Sequence, residues 1–280
     1  MEDFVAHRRN WEDKAKNIVD IVNELNLGLQ SVVFLDDSPF ERARVQEVLP
    51  EVLVPELPKN PEDYNAFLSK LRCFDKTYIT DEDKIRGDLY KSESKRTKLK
   101  QQLKSLSDWI KTLDLTITIE NIKNENTPRA VQLLNKTNQM NLSTRRLNER
   151  EFNKWVQEDK NNLWTIRAAD KFGDYGIIGI FSISIKDNTA ILVDFILSCR
   201  VVGRYIEETM VEFLNEFCQK NNIKKIKGKY KKTEKNSLCY HFFNKLKLIN
   251  SDQYSFEFFP NQKKFNLLNI KVKKPTMRKK

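Results

Sequence analysis

Ser31-Val-Val-Phe-Leu35 runs straight into Asp36-Asp37-Ser38-Pro39, and no other stretch limits what this chain can fold into as tightly. A short unbroken apolar run suits a strand covered on both faces, as in a parallel sheet, and Pro39 suits the first turn of a helix. Upstream, residues 11–27 place Trp11, Ile18, Ile21, Val22 and Leu25 at helical spacing until Gly28 stops them. Downstream, a helix is predicted through Val48, a second apolar run at Val52-Leu-Val54, and a further helix over 61–71. Helix, strand, helix, strand, helix is half of a doubly wound α/β fold.

The rest of the chain has a different rhythm. Residues 80–111 predict a long polar linker helix, opened by Thr80 with Asp83 at capping-box spacing. Leu115-Thr-Ile-Thr-Ile119 alternates like a strand, and helices are predicted over 128–138 and 148–160. Two strands, 177–185 and 190–197, are separated by Lys-Asp-Asn; a helix over 204–218, a strand over 223–228 and a helix over 235–245 follow. This pattern is a second, α+β domain, giving boundaries at 1–79, 80–111 and 112–280.

Composition narrows the classes of function. A length of 280 residues lets each part bury its own core, and no stretch reaches the ~20 apolar residues of a membrane span. The first eleven residues lack an apolar core, so no signal or transit peptide is expected and the cytoplasm is the default location. Cys73, Cys199, Cys218 and Cys239 form no C-x-x-C pair, and His7 and His241 are the two histidines, so disulfide, zinc and histidine-triad chemistry are poorly supplied. The net charge of +11 suits an acidic partner. Its densest clusters, 224–235 and 271–280, carry no nucleic-acid-binding motif, so solvated surface or an acidic protein is expected ahead of nucleic acid.

Open α/β sheets bind ligands at the carboxyl ends of their strands, where Asp36 and Asp37 fall. They are candidate Mg²⁺ ligands, with substrate phosphate completing the set, or else caps for the helix at Pro39. Lys14 is a candidate phosphoryl-neutralising cation if its helix end points the same way, and otherwise an exposed lysine.

In the second part, Asn135-Lys-Thr-Asn138-Gln-Met-Asn141-Leu-Ser-Thr144-Arg145-Arg146 is dense in side chains that bind carbonyls and phosphates, or that cap a solvated loop. Asp170-Lys-Phe-Gly173-Asp174-Tyr175-Gly176 reads as a turn before a strand. Asp194-Phe-Ile-Leu-Ser-Cys199-Arg200-Val-Val-Gly203-Arg204 ends a strand and opens a helix, where backbone N–H groups favour an anion. Cys199 is either an acyl-holding thiol or a buried core cysteine.

These stretches together, with Asn10-Trp-Glu-Asp-Lys14-Ala-Lys-Asn-Ile18, Val-Phe-Leu-Asp36-Asp37-Ser-Pro-Phe-Glu-Arg42 and Leu49-Pro-Glu-Val-Leu-Val-Pro-Glu-Leu-Pro58, resemble the FkbH-like branch of the haloacid dehalogenase superfamily, from Asp3 to about Leu248. The resemblance implies the C-terminal half of a HAD-type Rossmann-like parallel sheet, followed by an α+β GNAT-like acyltransferase domain. It implies that Lys14 steadies nucleophile and phosphoryl group, and that Asp36 and Asp37 serve Mg²⁺. It implies substrate or acyl contacts from Asn138, Asn141, Thr144, Arg145, Arg146, Asp174, Arg200, Gly203 and Arg204, with coenzyme A or phosphopantetheine as the thiol carrier. Members move a phosphorylated three-carbon acid to a glyceryl thioester on an acyl carrier protein, an acidic partner, with loss of phosphate.

Two departures qualify it. The family's Asp-x-Asp-x-Thr nucleophile stretch is absent from these residues, Asp81-Glu-Asp83-Lys-Ile85 being the nearest imitation, so no aspartyl-phosphate is expected from this chain alone. A truncation, a split gene or a degenerate relative would each account for that, and the missing half or a second copy is a possible partner. Against ordinary acetyl transfer, Tyr205 stands where GNAT enzymes need a small residue, Phe243 where they place a tyrosine acid, and Lys247 where they place glycine. A stand-alone acyltransferase-like domain and a non-catalytic carrier-binding module are the alternatives.

Overall fold

The computed structural model describes residues 4–25, 27–75, 79, 86–103, 105–246, 249–250, 254–260, 265, 267 and 270–276. The chain divides into two compact units, Met1–Lys98 and Leu99–Lys280. The Thr80–Asp83 box, the Asp81–Ile85 stretch and Lys247 lie outside the described residues. Among the described residues no helix is long and apolar enough to cross a membrane.

In the first unit, Asp13 caps α1 (Lys14–Glu24) by accepting from the Lys16 N–H at 3.1 Å, so the chain before it leaves the helix. Trp11, expected on the apolar face of that helix, is therefore outside it and fully exposed. Ser38 caps α2 (Pro39–Val48), its hydroxyl accepting from Glu41 N at 3.4 Å, with Pro39 at the position where its missing N–H is not needed. Between the helices, Val33 and Leu53 form one parallel bridge, fixed by Phe34 N→Leu53 O (2.9 Å) and Leu53 N→Val32 O (3.1 Å). Ala15, Val45, Leu49, Val52 and Val54 bury against Ile18, Val19, Leu29, Val32 and Phe34. After a 3₁₀ turn at Pro61–Asp63 comes α3 (Tyr64–Lys70).

The expectation of a strand buried on both faces is corrected here. Val32 to Phe34 are half-buried and Leu35 is exposed, because among the described residues a single bridge, not a sheet, flanks them.

The predicted linker helix is in two pieces. α4 (Arg86–Gln101) spans the boundary between the units in sequence, and α5 (Leu106–Leu113) starts afresh at Ser105, whose hydroxyl accepts from Asp108 N at 3.0 Å. Asp114, in the left-handed region at φ 53°, ends it.

The second unit is built on one mixed sheet. Its strands are β1 (Thr116–Asn121), β2 (Met140–Asn141), β3 (Asn161–Asp170), β4 (Gly173–Lys186), β5 (Thr189–Leu197), β6 (Lys225–Lys229), β7 (Ile249–Asn250), β8 (Ser255–Phe258) and β9 (Lys271–Lys273). They are ordered β7-β8-β6-β5-β4-β3-β1-β9, with β2 attached to the end of β5. The pairs β5–β6 and β1–β9 are parallel and the others antiparallel. The helices are α6 (Thr127–Lys136), α7 (Glu149–Val156), α8 (Ile206–Lys220) and α9 (Ser237–Lys245).

Period-two alternation sends neighbouring side chains to opposite faces of this sheet. Leu163, Ile180 and Ile196 pack with Ala130, Leu133, Leu134 and Phe152 from α6 and α7. Trp164, Phe181, Phe195 and Leu197 join the larger core with α5, α8 and α9. There Trp164 stacks on Phe181 at 5.3 Å and meets Phe213 and Phe217 edge-on at 5.2 and 4.9 Å. β4 is central, and residues 175–183 are continuously buried.

β5 and β6 pair over Thr189–Leu192 and Lys225–Gly228, then part. Past that point Met140 and Asn141 take the free edge of β5 opposite Leu197 and Ile196. Beyond β5 the chain turns through Cys199–Val201 and Gly203 into α8, the long crossover a parallel β5–β6 pair requires. This turn is where the sequence places its second candidate site.

Candidate functional site

The first site assembles from two helix starts and one strand end. Asp13 sets Lys14 at the first position of α1, and the Val33–Leu53 bridge holds the chain entering Asp36. Lys14 Nζ donates to Asp36 Oδ2 at 2.6 Å, and the other oxygen of Asp36 accepts from Ser38 N at 3.0 Å. Asp36 is mostly buried and Lys14 nearly half exposed. The hydrogen bond to Asp36 holds the Lys14 ammonium above its ordinary pKa, with the charges of Asp36, Glu41 and Asp37 acting in the same direction and burial against it.

Helix α2 is capped by Ser38, so neither aspartate serves as the cap. The strand end is instead pinned from behind by Arg42, a buried side chain whose Nη1 donates to the carbonyls of Asp36 (2.7 Å) and Asp37 (3.0 Å). Glu56 balances Arg42 at 3.2 Å. Arg44 Nε reaches Asp13 at 3.2 Å and ties α2 to the cap of α1. Arg42 escaped the sequence reading of the site; its signal is its position one helical turn past the aspartates, from which a long side chain can fold back on them.

Among the described residues no group of three or more His, Cys, Asp or Glu side chains is placed to hold a metal ion. The donor set here is two adjacent carboxylates, of which Asp36 is engaged by Lys14 and Ser38, and Asp37 is exposed. Such a pair fits Mg²⁺ in its usual shared mode, in which one or two carboxylates hold the ion and phosphate oxygens or water fill the remaining positions.

The second set of residues is held in several local networks. Asp194 is fully buried on β5 and receives both arms of Arg145, Nε to Oδ1 at 2.8 Å and Nη2 to Oδ2 at 2.5 Å. Ser143 (3.0 Å) and Ser182 (2.5 Å) donate to the same carboxylate, and the Trp155 ring lies 4.4 Å beneath the guanidinium. Arg146 donates to Leu134 O at 2.5 Å and to Asn138 Oδ1 at 2.9 Å. Asn141, fully buried, donates to Thr137 O and accepts from Thr144 N at 2.8 Å, which fixes Thr144 at φ 52°. Asp174 pairs with Arg167 at 3.2 Å on the exposed β3–β4 turn and accepts from Gly176 N at 2.7 Å.

At the turn into α8, Arg200 Nε donates to Ser198 Oγ at 3.4 Å. Arg204 is buried, donates to the Tyr175 hydroxyl, and lies 5.2 Å from the Trp109 ring. Tyr175 passes the connection on to Asp170 at 2.6 Å. Burial pushes the Cys199 thiol above its ordinary pKa, with Arg200 opposing. Phe243 is fully buried, stacked on Phe256 at 4.7 Å and edge-on to Phe195 at 5.1 Å. All four cysteines are free thiols.

Glu207, which nothing in the sequence reading marked, completes the turn. Its Oε1 accepts from Gly203 N at 2.8 Å, and its Oε2 is buried without a hydrogen-bond partner. Burial, then the charge of Glu208, raises its pKa to about 7, against the opposing Gly203 N–H and Arg204. The signal was available: a carboxylate four residues past a Gly in a strand-to-helix turn can reach back to that glycine's amide.

After α5 the second unit runs through β1, α6, the short β2, α7 and the three antiparallel strands β3, β4 and β5, and then by the crossover helix α8 to β6, which is parallel to β5. This is a mixed α/β chain whose second unit is an α+β fold on one mixed sheet. No family model and no curated protein matches the chain. Similar solved structures include the N-terminal part of a Bacteroides fragilis protein containing a phosphatase domain, complexed with Mg; it is 51% identical, over 25% of this chain and 19% of that one, at a TM-score of 0.24. The match therefore spans about a fifth of that solved N-terminal part. Others are a Vibrio cholerae spermidine N-acetyltransferase in complex with CoA and spermine, 11% identical over 52% of this chain and 96% of that one at 0.40, and the Escherichia coli ribosomal-protein-S18-alanine N-acetyltransferase, 10% identical over 54% and 98% at 0.38.

Proposed function

We propose that this chain is the phosphate- and metal-binding part of an FkbH-like enzyme that takes a phosphorylated three-carbon acid to a thioester on an acyl carrier protein, releasing phosphate. The observation that carries the reading is the 2.6 Å Lys14–Asp36 pair, set at the carboxyl end of the bridging strand with Asp37 exposed beside it. In this reading Lys14 neutralises the phosphoryl oxygens, Asp36 orients Lys14, and Asp37 gives Mg²⁺ its protein carboxylate; the ion is the one bound to the Bacteroides phosphatase domain. Bound there, Mg²⁺ would supply charge for a phosphoryl group.

The attacking carboxylate comes from elsewhere, because these residues contain no Asp-x-Asp-x-Thr stretch. The +11 charge suits an acidic carrier protein, whose encounter it would accelerate.

The test mixes the chain with acyl carrier protein, Mg²⁺ and a labelled bisphosphorylated three-carbon acid, and follows the carrier by mass. The chain alone is expected to give no acylated carrier. A separate polypeptide carrying the nucleophile stretch should restore product, and Lys14→Ala should abolish it again. Product from the chain alone, or restored product indifferent to Lys14→Ala, defeats the proposal.

A further inference from the structure

Strand-to-helix turns with left-handed residues make nests of backbone N–H groups that favour an anion, reinforced by the positive end of the following helix. The turn from Ser198 to Ile206 has this form: Gly203 is at φ 77°, Tyr205 at φ 61°, and the fifteen-residue α8 begins at Ile206. A carboxyl group already occupies it. Glu207 folds back and places Oε1 at 2.8 Å from Gly203 N, while Oε2 is buried with no donor of its own. Only 3% of Glu207 is exposed, so water does not screen this carboxylate.

We infer that the Gly203–Glu207 turn is closed to the pyrophosphate of coenzyme A by the chain's own Glu207, so that the second unit does not take coenzyme A. A pyrophosphate approaching Gly203 N would have to displace a bonded oxygen and then lie against a buried like charge; both steps oppose binding. The raised pKa of Glu207 agrees, because it registers how weakly the site compensates even one negative charge. A thiol carried on a protein, with no pyrophosphate, would be spared this conflict. The inference concerns the second unit alone and stands whether or not the phosphoryl reading of the first does.

The experiment titrates inorganic pyrophosphate and coenzyme A separately into the full chain by calorimetry, at pH 8 and about 0.15 M salt, where surface lysines are screened. The wild-type chain should show no saturable heat with either. Glu207→Ala, which empties the nest, should gain at least tenfold in pyrophosphate affinity. Saturable coenzyme A binding by the wild-type chain overturns the inference, and so does a Glu207→Ala protein that melts like wild type yet gains nothing. Should Glu207→Ala fail to fold, the isosteric Glu207→Gln removes the charge and keeps the shape. Its pyrophosphate affinity must then exceed wild type, and equality with wild type is equally fatal.

Discussion

Arg145 and Asp194 are 49 residues apart and meet as a two-pronged ion pair, with the carboxylate fully buried and the guanidinium laid over Trp155. The sequence marks Arg145 as a phosphate or acyl ligand; the fold turns its Nε and Nη2 onto Asp194. Removing one partner of a buried pair strands the other, a loss of roughly 3–5 kcal/mol. Arg145→Ala is expected to lose that much in urea unfolding, and Arg145→Lys most of it, because an ammonium cannot fork onto both oxygens. A loss below about 1 kcal/mol would mean that the pair does not hold β5 to the 143–146 segment.

Phe243, which the sequence resemblance aligns with the tyrosine acid of GNAT enzymes, lies in the core, and its ring faces Phe256 and Phe195 with no exposed edge. Phe243→Tyr places a hydroxyl among hydrocarbons, at a cost of about 1–3 kcal/mol. The variant should melt lower than wild type and show no acetyl transfer from acetyl-CoA to amines. Acetyl transfer appearing in it would revive ordinary acetyltransferase chemistry for this unit.

How much of this was legible in the sequence depends on the range of the interaction. Helix α2 begins at Pro39 and ends at Val48 as expected, because Ser38, Pro39 and the local pattern decide it. The β4–β5 hairpin is placed by its apolar strands and by Asp187, which turns at φ 51°. β3 went unread: it opens with Asn161 and Asn162 directly after a polar helix, and its Leu-Trp-Thr-Ile core is too short to announce a ten-residue strand. Tiny strands such as β2 and β9 exist only through partners far away in sequence.

The candidate sites follow the same rule. Lys14 and Asp36 do come together, since a helix start and a strand end are local features. The partners of Arg145 and Arg204, namely Asp194 and Tyr175, are assigned by sheet register and by the packing of α8, which no spacing encodes. A basic side chain flanked by polar residues looks alike in sequence whether it awaits a ligand or a buried carboxylate.

Gly179 sits mid-strand in β4, where glycine is usually unfavourable, and its reason is crowding. A Cβ there would stand 2.6 Å from the Ile196 carbonyl oxygen and 2.8 Å from Ile166 Cγ2. The oxygen belongs to the β4–β5 ladder and cannot yield without loosening the register beside the turn at Ser198. Gly179→Ala should therefore destabilise by about 1–3 kcal/mol. Calorimetric melting checks this, and an unchanged melting temperature would show that the sheet is looser at this point than its geometry implies.

Glu207 should leave a mark on stability against pH whose sign is fixed. Its ordinary pKa of 4.5 describes the unfolded chain and about 7 the folded one. Below 4.5 the carboxyl is neutral in both states, and folding suffers no penalty from it. As pH climbs from there to about 7, the unfolded chain releases its proton first, so stability falls, and the loss is complete above the folded value. At 1.36 kcal/mol per pKa unit the loss is at most about 3 kcal/mol. Glu208, raised chiefly by burial, pulls the same way, so the informative quantity is the difference between wild type and Glu207→Gln. That difference, from urea unfolding, should shift by about 1–3 kcal/mol in favour of the glutamine variant between pH 4.5 and pH 8. A difference independent of pH would mean that Glu207 meets solvent or a cation, and the closed turn described above would go with it.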